Sequence, residues 1–254
     1  MNNEPSSSDA VVNAAPDKPA KEPVVNDNAY VTFAYNIDLP WGGTAKYDFR
    51  MPMSDELRPE TDALQLPVTD ENAWIQTYSG GKFFPLNPAP DSVRLADIIG
   101  SLSNTCRFNG HCHPFYSVLE HSVHVARQLS YKYRFYAFLH DASEGYFIDV
   151  LSPYKKYLAQ HRRVEDAIQA AIYKKYGLER FVKDEDLNAK ILEIDLRMLT
   201  TEKHQVMLPT QPWPKLDELK YPAYDLRLDL LPPSAAFVAY TNEIHKWAAF
   251  AGVK

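Results

Sequence analysis

Beyond Pro90 the apolar residues recur with the spacing of amphipathic helices. In VRLADIIGSL (Val93 to Leu102), Leu95, Ile98, Ile99 and Leu102 fall on one face. Val118, Ser122, Val125 and Leu129 line a second helix, with His121 and His124 beside the stripe. Tyr133 to His140 reads as a short, very apolar helix. Val164, Ile168, Ile172 and Tyr176 recur at every fourth position, and Gly177 follows where a C-terminal cap belongs. Leu187, Ile191, Ile194 and Met198 mark a further helix; Phe237, Ile244, Trp247 and Ala251 mark the last, set off by Pro232 and Pro233 as a break. The pattern predicts an all-α body over residues 91–254.

Before Pro90 the period changes. YVTFAYNIDLPWGG and TAKYDFRMP mix aromatic and β-branched residues around a Trp-Gly-Gly turn signal and predict a strand pair or extended segment. ENAWIQTYSGGKFFPLNPAP places Gly-Gly between two aromatic runs and predicts a hairpin. Residues 29–90 thus form an aromatic-rich lead-in, whose Trp41, Trp74, Tyr78, Phe83 and Phe84 suit packing on the helical body or an oligomer contact. Residues 1–28 carry four prolines and no aromatic, too little apolar surface to offset the entropy of ordering, and are expected to be a disordered tail. They lack the basic and apolar regions of a secretory signal.

Composition narrows the classes. A chain of 254 residues, 45% hydrophobic, can bury a core without disulfides or structural metals. Cys106 and Cys112, six apart with no CxxC partner, exclude a disulfide scaffold and argue against structural zinc. A net charge of −6 argues against nucleic-acid polymers and anionic membranes as partners, and no apolar run is long enough to span a bilayer. Five of the eight histidines fall between His111 and His140.

Within and beyond that cluster, His121, His140, Asp141 and Asp195 are considered together. Imidazole and carboxylate suit a borderline divalent cation such as Zn, Mn, Co, Ni or Fe(II), and a helical core is where separate helices converge on one ion. Burying these groups on apolar helix faces is costly without a partner, which a cation supplies. Each alone is equally consistent with a hydrogen-bonded core residue. Asp184 and Asp186 compete with Asp195 by composition, but sit in a charged loop.

SVLEHSVHVARQL and FLHDASEGYFIDVLSPYKKYL resemble the HD-domain metal-dependent phosphohydrolases, most nearly the 5′-deoxynucleotidases and phage deoxynucleoside triphosphohydrolases. The likeness runs from about Trp74 to the C-terminus and is specific in its central part. It implies an all-α HD-domain bundle that holds one divalent metal ion (Co, Mn, Zn, Ni or Fe, with Mg an option on the substrate phosphates). Its ligands would be His121, His140, Asp141 and Asp195. KILEIDLRMLTTEK matches the form in which the family writes the last ligand, with Glu202 seven residues on. The resemblance further implies that Glu144 positions or deprotonates the attacking water and that Asp149 is a second acid. Arg107 and Lys155 would meet the phosphate. Phe108 stands where most relatives carry Trp, which keeps base stacking available. His111 and His113, in NGHCHPF, are placed at the pocket mouth, with a phosphate contact from His111.

The expected activity is hydrolysis of a deoxynucleotide, either a dNTP or a dNMP, by water attacking the α-phosphorus. The ion lowers the pKa of its water, Glu144 positions that water, and the cations screen the phosphate. The competing reading is an inactive HD domain that senses a nucleotide; it is disfavoured because the four ligands and Glu144 are all kept. Only His161 lies between the HD pair and Asp195, too little for a second metal of the diiron kind. His124 is expected to be a surface residue or one that supports the ligands. By resemblance the protein would be a cytoplasmic homo-oligomer, in the host cytoplasm if phage-encoded.

Overall fold

The structure is a computed structural model that describes residues 24–26, 30–38, 44–52, 72–155, 157–208, 211–213 and 221–253. The chain divides into two compact units, residues 1–65 and 66–254.

In the first unit, β1 (Val24–Asn26), β2 (Tyr30–Asp38) and β3 (Thr44–Pro52) form an antiparallel sheet in chain order. The β2–β3 register runs from Tyr30 opposite Pro52 to Asp38 opposite Thr44, the strand pair that the aromatic and β-branched pattern predicts. The expected disordered tail, residues 1–28, lies outside the described residues except for Val24–Asn26, which pair with β2 and so depart from that expectation. Trp41 also lies outside them.

The second unit is mostly helical. It opens with a small hairpin, β4 (Ile75–Gln76) against β5 (Lys82–Phe83), turning through Gly80 at φ +83° as the Gly-Gly signal predicts. Phe83 is fully buried and stacks on Tyr146 with ring centroids 4.1 Å apart, so the hairpin packs on the helices.

Among the described residues, the α-helices are α1 (Leu95–Asn104), α2 (Val118–Arg127), α3 (Arg134–Phe138), α4 (Ser152–Lys155), α5 (Ala159–Lys175), α6 (Glu179–Val182), α7 (Glu185–Val206) and α8 (Pro233–Phe250). Each end has a local cause. Ser117 caps α2 by accepting the Glu120 N–H at 3.1 Å, and Asp184 caps α7 by accepting that of Leu187 at 3.0 Å. Gly177, at φ +64°, follows α5 in the left-handed conformation of a C-terminal cap. Pro233 takes the first position of α8, where its missing N–H costs nothing, so the proline pair starts a helix as well as breaking the preceding segment.

α2 is the central element. Every residue from Val118 to Ala126 is buried, the signature of a helix covered on all sides, and α1, α3, α7 and α8 pack around it. The predicted α7 stripe of Leu187, Ile191, Ile194 and Met198 is buried, as are Ile244 and Trp247 of α8.

One expected helix differs. Tyr133 to His140 is not continuous: α3 ends at Phe138 and a 3₁₀ segment, Leu139–Gly145, carries His140 and Asp141, with Asp141 off helical geometry at φ −106°, ψ 17°. Gln169 of α5 holds this segment, donating to the Leu139 carbonyl at 2.6 Å and accepting the Ser143 N–H at 3.1 Å. These bonds replace the helical ladder and turn two adjacent side chains toward one point. Among the described residues, no helix is long and apolar enough to cross a membrane.

Candidate metal centre

His121 from α2, His140 and Asp141 from the 3₁₀ segment and Asp195 from α7 converge. His121 Nε2 lies 3.2 Å from Asp195 Oδ1, 3.3 Å from His140 Nε2 and 3.6 Å from Asp141 Oδ2. His140 Nε2 lies 3.3 Å from Asp141 Oδ2. His121, His140 and Asp195 offer donor atoms all within 4.8 Å of one another, a group positioned to hold a metal ion; Asp141 falls outside that group, although its Oδ2 reaches both imidazoles.

The far sides of both imidazoles decide what the near sides can do. His140 Nδ1 lies 2.9 Å from the Ala137 carbonyl, which only accepts, so that nitrogen carries a proton. His121 Nδ1 likewise donates to Glu202 Oε1 at 2.6 Å. A neutral ring with its proton on Nδ1 presents a lone pair at Nε2, the orientation that second-shell partners impose on ligating histidines. Without a cation, a single proton on His121 Nε2 would have three acceptors around it: His140 Nε2, Asp195 and Asp141. Burial and Arg107 oppose that proton, but Glu202 and Asp195 outweigh them and hold the His121 pKa up at about 9.

Glu202 is fully buried and is the hub behind the donors. Besides His121, it accepts from Arg107 Nη2 at 2.9 Å and from the Tyr116 hydroxyl at 3.0 Å. Burial raises its pKa, but Arg107 and His121 pull it below the ordinary range. Asp195 and Glu202 are seven residues apart on α7, two turns, so both face α2. The resemblance marks Glu202 in the sequence, but its hydrogen bond to His121 is not legible there.

Arg107 sits between Glu202 and Asp141, with Nη1 3.8 Å from Asp141 Oδ2 and its buried Nε without a partner. Burial disfavours its charge, yet Glu202 and Asp141 hold it firmly protonated. Asp141 is held well below the carboxylate range: burial raises it, but His140, His121 and Arg107 prevail. The loop bearing Arg107 is closed by paired backbone, with the Arg107 N–H donating to the Tyr116 carbonyl at 2.9 Å. It then turns through Phe108 and Asn109 at φ 55° and 53°, left-handed values that non-glycine residues seldom adopt. Phe108 is half-buried, edge-on to Trp213 with centroids 6.0 Å apart.

Glu144 is 5% exposed and its Oε2 is buried without a partner. Burial, then Asp141 and Asp149, push its pKa well above normal, only partly relieved by Arg107 and Lys155. Lys155 lies 3.9 Å from Glu144 and 2.9 Å from Glu165, so Glu165 is its nearer partner. Asp149 lines a 460 Å³ cavity with Thr105, Cys106, Asn109 and Gly110. A larger one, 570 Å³, lies between the hairpin and α1, and neither cavity has any of the four donors in its wall. The smaller borders the Arg107 turn and is the better candidate for a ligand.

The remaining histidines are placed apart. His111 and His113 are exposed. His161 packs against Phe147. His124 is buried and turned to Glu120 and Asp229, so it is not a surface residue. Cys106 and Cys112 are free, with their sulfurs 3.6 Å apart.

The fold and donor set define a mostly helical protein with a partly buried histidine–aspartate cluster able to hold a metal ion. By sequence the chain belongs to the family of the uncharacterized protein YfdR of Escherichia coli (strain K12). The two are 36% identical over 146 residues, 57% of this chain and 79% of that protein. It is also similar to the uncharacterized protein RCAP_rcc00048 of Rhodobacter capsulatus, 28% identical over 193 residues, 69% of this chain and 95% of that protein. No protein-family model matches the chain.

Proposed function

We propose that this protein is a metal-dependent phosphohydrolase of the HD-domain type, acting on deoxynucleotides. The observation that carries the reading is the convergence of two imidazole Nε2 atoms and the carboxylates of Asp141 and Asp195, with both Nδ1 atoms engaged by fixed acceptors. His121, His140, Asp141 and Asp195 would hold one divalent cation. Bound there, the ion would supply Lewis acidity and lower the pKa of a water toward neutrality.

The chain's own groups complete the chemistry. Glu144, buried and with an unpartnered oxygen, is suited to take a proton from the attacking water and return it to the leaving group. Arg107, locked in place by Glu202, keeps a buried positive charge beside Asp141 for a phosphate oxygen. Lys155 adds charge on the Glu144 side. Phe108 and the cavity lined by Asp149 offer an apolar edge and an acceptor for the nucleoside.

The test is a panel of every dNMP and dNTP incubated with purified protein, the products resolved by chromatography. Release of phosphate, pyrophosphate or triphosphate that chelation abolishes and Mn or Co restores is expected. Metal bound but no turnover of any nucleotide would reject the enzyme and favour a nucleotide sensor.

A further inference from the structure

α2 carries a second group of potential ligands besides His121. Glu120 and His124, one turn apart, meet Asp229 from the segment before α8, and their donor atoms all lie within 4.8 Å of one another. His124 Nε2 is 3.6 Å from Glu120 Oε1 and 4.0 Å from Asp229 Oδ2. We propose that Glu120, His124 and Asp229 form a second site for a divalent cation of the zinc class, separate from the His121 cluster.

Three observations carry the assignment. His124 is 5% exposed and its Nε2 is buried without a hydrogen-bond partner, although two carboxylates face it. A buried imidazole nitrogen with no partner is costly, and a cation between it and the carboxylates removes that cost.

The carboxylates are also pre-aimed. Glu120 accepts the N–H groups of Leu230 at 2.8 Å and Leu231 at 3.1 Å, one on each oxygen, and Asp229 Oδ2 accepts from the Tyr240 hydroxyl at 2.7 Å. Every such oxygen has a second lone pair free for a metal. Bonds of about 2.1 Å at tetrahedral angles set donors about 3.4 Å apart, so the 3.6 and 4.0 Å separations from His124 Nε2 need only a small contraction.

The charge balance agrees. Arg127 Nη1 is 3.7 Å from Asp229, but the guanidinium is turned onto Glu243 in two hydrogen bonds of 3.2 and 2.7 Å. Glu120, Asp229 and Glu243 against Arg127 leave two negative charges, the amount a divalent ion neutralises. Asp229, with its side chain 46% exposed, leaves the site open to water on one side, where a fourth ligand can sit.

The full-length chain, stripped with chelator and dialysed against Zn²⁺, should retain about two zinc ions per chain, read by atomic emission. His124→Ala and Asp229→Asn should each reduce this to about one. The His121→Ala/His140→Ala double variant should also fall to about one, the remaining ion then being lost on adding His124→Ala. Asp229→Asn is the safeguard against misfolding, because its side chain is half exposed and the amide preserves shape. A wild-type value of one that His124→Ala and Asp229→Asn leave unchanged would overturn the second site. So would a value of two that both variants leave intact. Loss of the His121 site alone would count against the proposed hydrolase and not against this one.

Discussion

His121 Nδ1 and Glu202 Oε1 are 2.6 Å apart, and both side chains are fully buried. The pair joins α2 to α7 and turns the imidazole so that Nε2 faces His140, Asp141 and Asp195. Glu202 also receives Arg107 and Tyr116, so one carboxylate fixes a candidate ligand and a candidate phosphate contact together.

Glu202→Gln should therefore damage two things. Metal affinity should fall about 10–100-fold, the usual effect of losing a carboxylate behind a ligating histidine. Stability should fall by about 3–5 kcal/mol, because Arg107 would be left as a buried charge without its main counter-ion. Zinc titration against a competing chelator and urea unfolding check the two separately. Unchanged zinc affinity would show that His121 does not depend on Glu202 for its orientation.

The pH dependence of the chelated protein has a definite sign. His121 is held up at about 9 from an ordinary 6.5, so its stabilising contribution is complete below about pH 6.5 and is lost as pH rises through 9. Glu144, raised because burial favours its neutral form, likewise stabilises less as pH climbs above its ordinary 4.5. Asp195 and Glu202 are lowered, so their contributions are present above 3.8 and 4.5 and are lost on acidification. Urea midpoints should peak between about pH 4.5 and 6.5 and decline toward pH 9. Zinc affinity should rise over that same decline, because the ion displaces the His121 proton. A flat urea profile from pH 6 to 9 would contradict the proton assignment.

How much of this was legible in the sequence depends on how local each cause is. The stripes of α5 and α7 were, since Val164, Ile168 and Ile172, or Ile191, Ile194 and Met198, report burial by period alone. The apolar run through His140 predicts helix, and the 3₁₀ departure is imposed by Gln169, 30 residues from the carbonyl it holds. The resemblance places Arg107 at the phosphate; its partner Glu202 lies 95 residues away, and no spacing rule connects them. Glu120 and His124 sit at a chelating interval, but Asp229 completes the group only through the fold.

Glu144→Gln separates chemistry from binding. The amide keeps the shape and removes a charge that burial, Asp141 and Asp149 already disfavour, so stability should hold or rise. Under the proposed hydrolysis, nucleotide turnover should drop about 10²–10⁴-fold, the range for loss of a general acid–base group. Metal content should stay at the wild-type value. Retention of full activity would remove Glu144 from the reaction.

Gly100 and Tyr78 give a test of how the hairpin docks. A Cβ on Gly100 would overlap Cδ1 and Cγ of Tyr78, so the aromatic ring lies against the bare backbone of α1. Two effects oppose each other in Gly100→Ala. Alanine favours an α1 interior position by about 1 kcal/mol, while overpacking costs about 1–3 kcal/mol. Tyr78 is 57% exposed and can swing outward, which limits the cost, so a net destabilisation of about 1 kcal/mol is expected. In a Tyr78→Ala background the clash is gone and only the helix term remains. There Gly100→Ala should stabilise by about 1 kcal/mol. This reversal of sign, measured by urea unfolding of the four proteins in the cycle, is the specific outcome; the same sign in both backgrounds would mean that Tyr78 is not what requires glycine here.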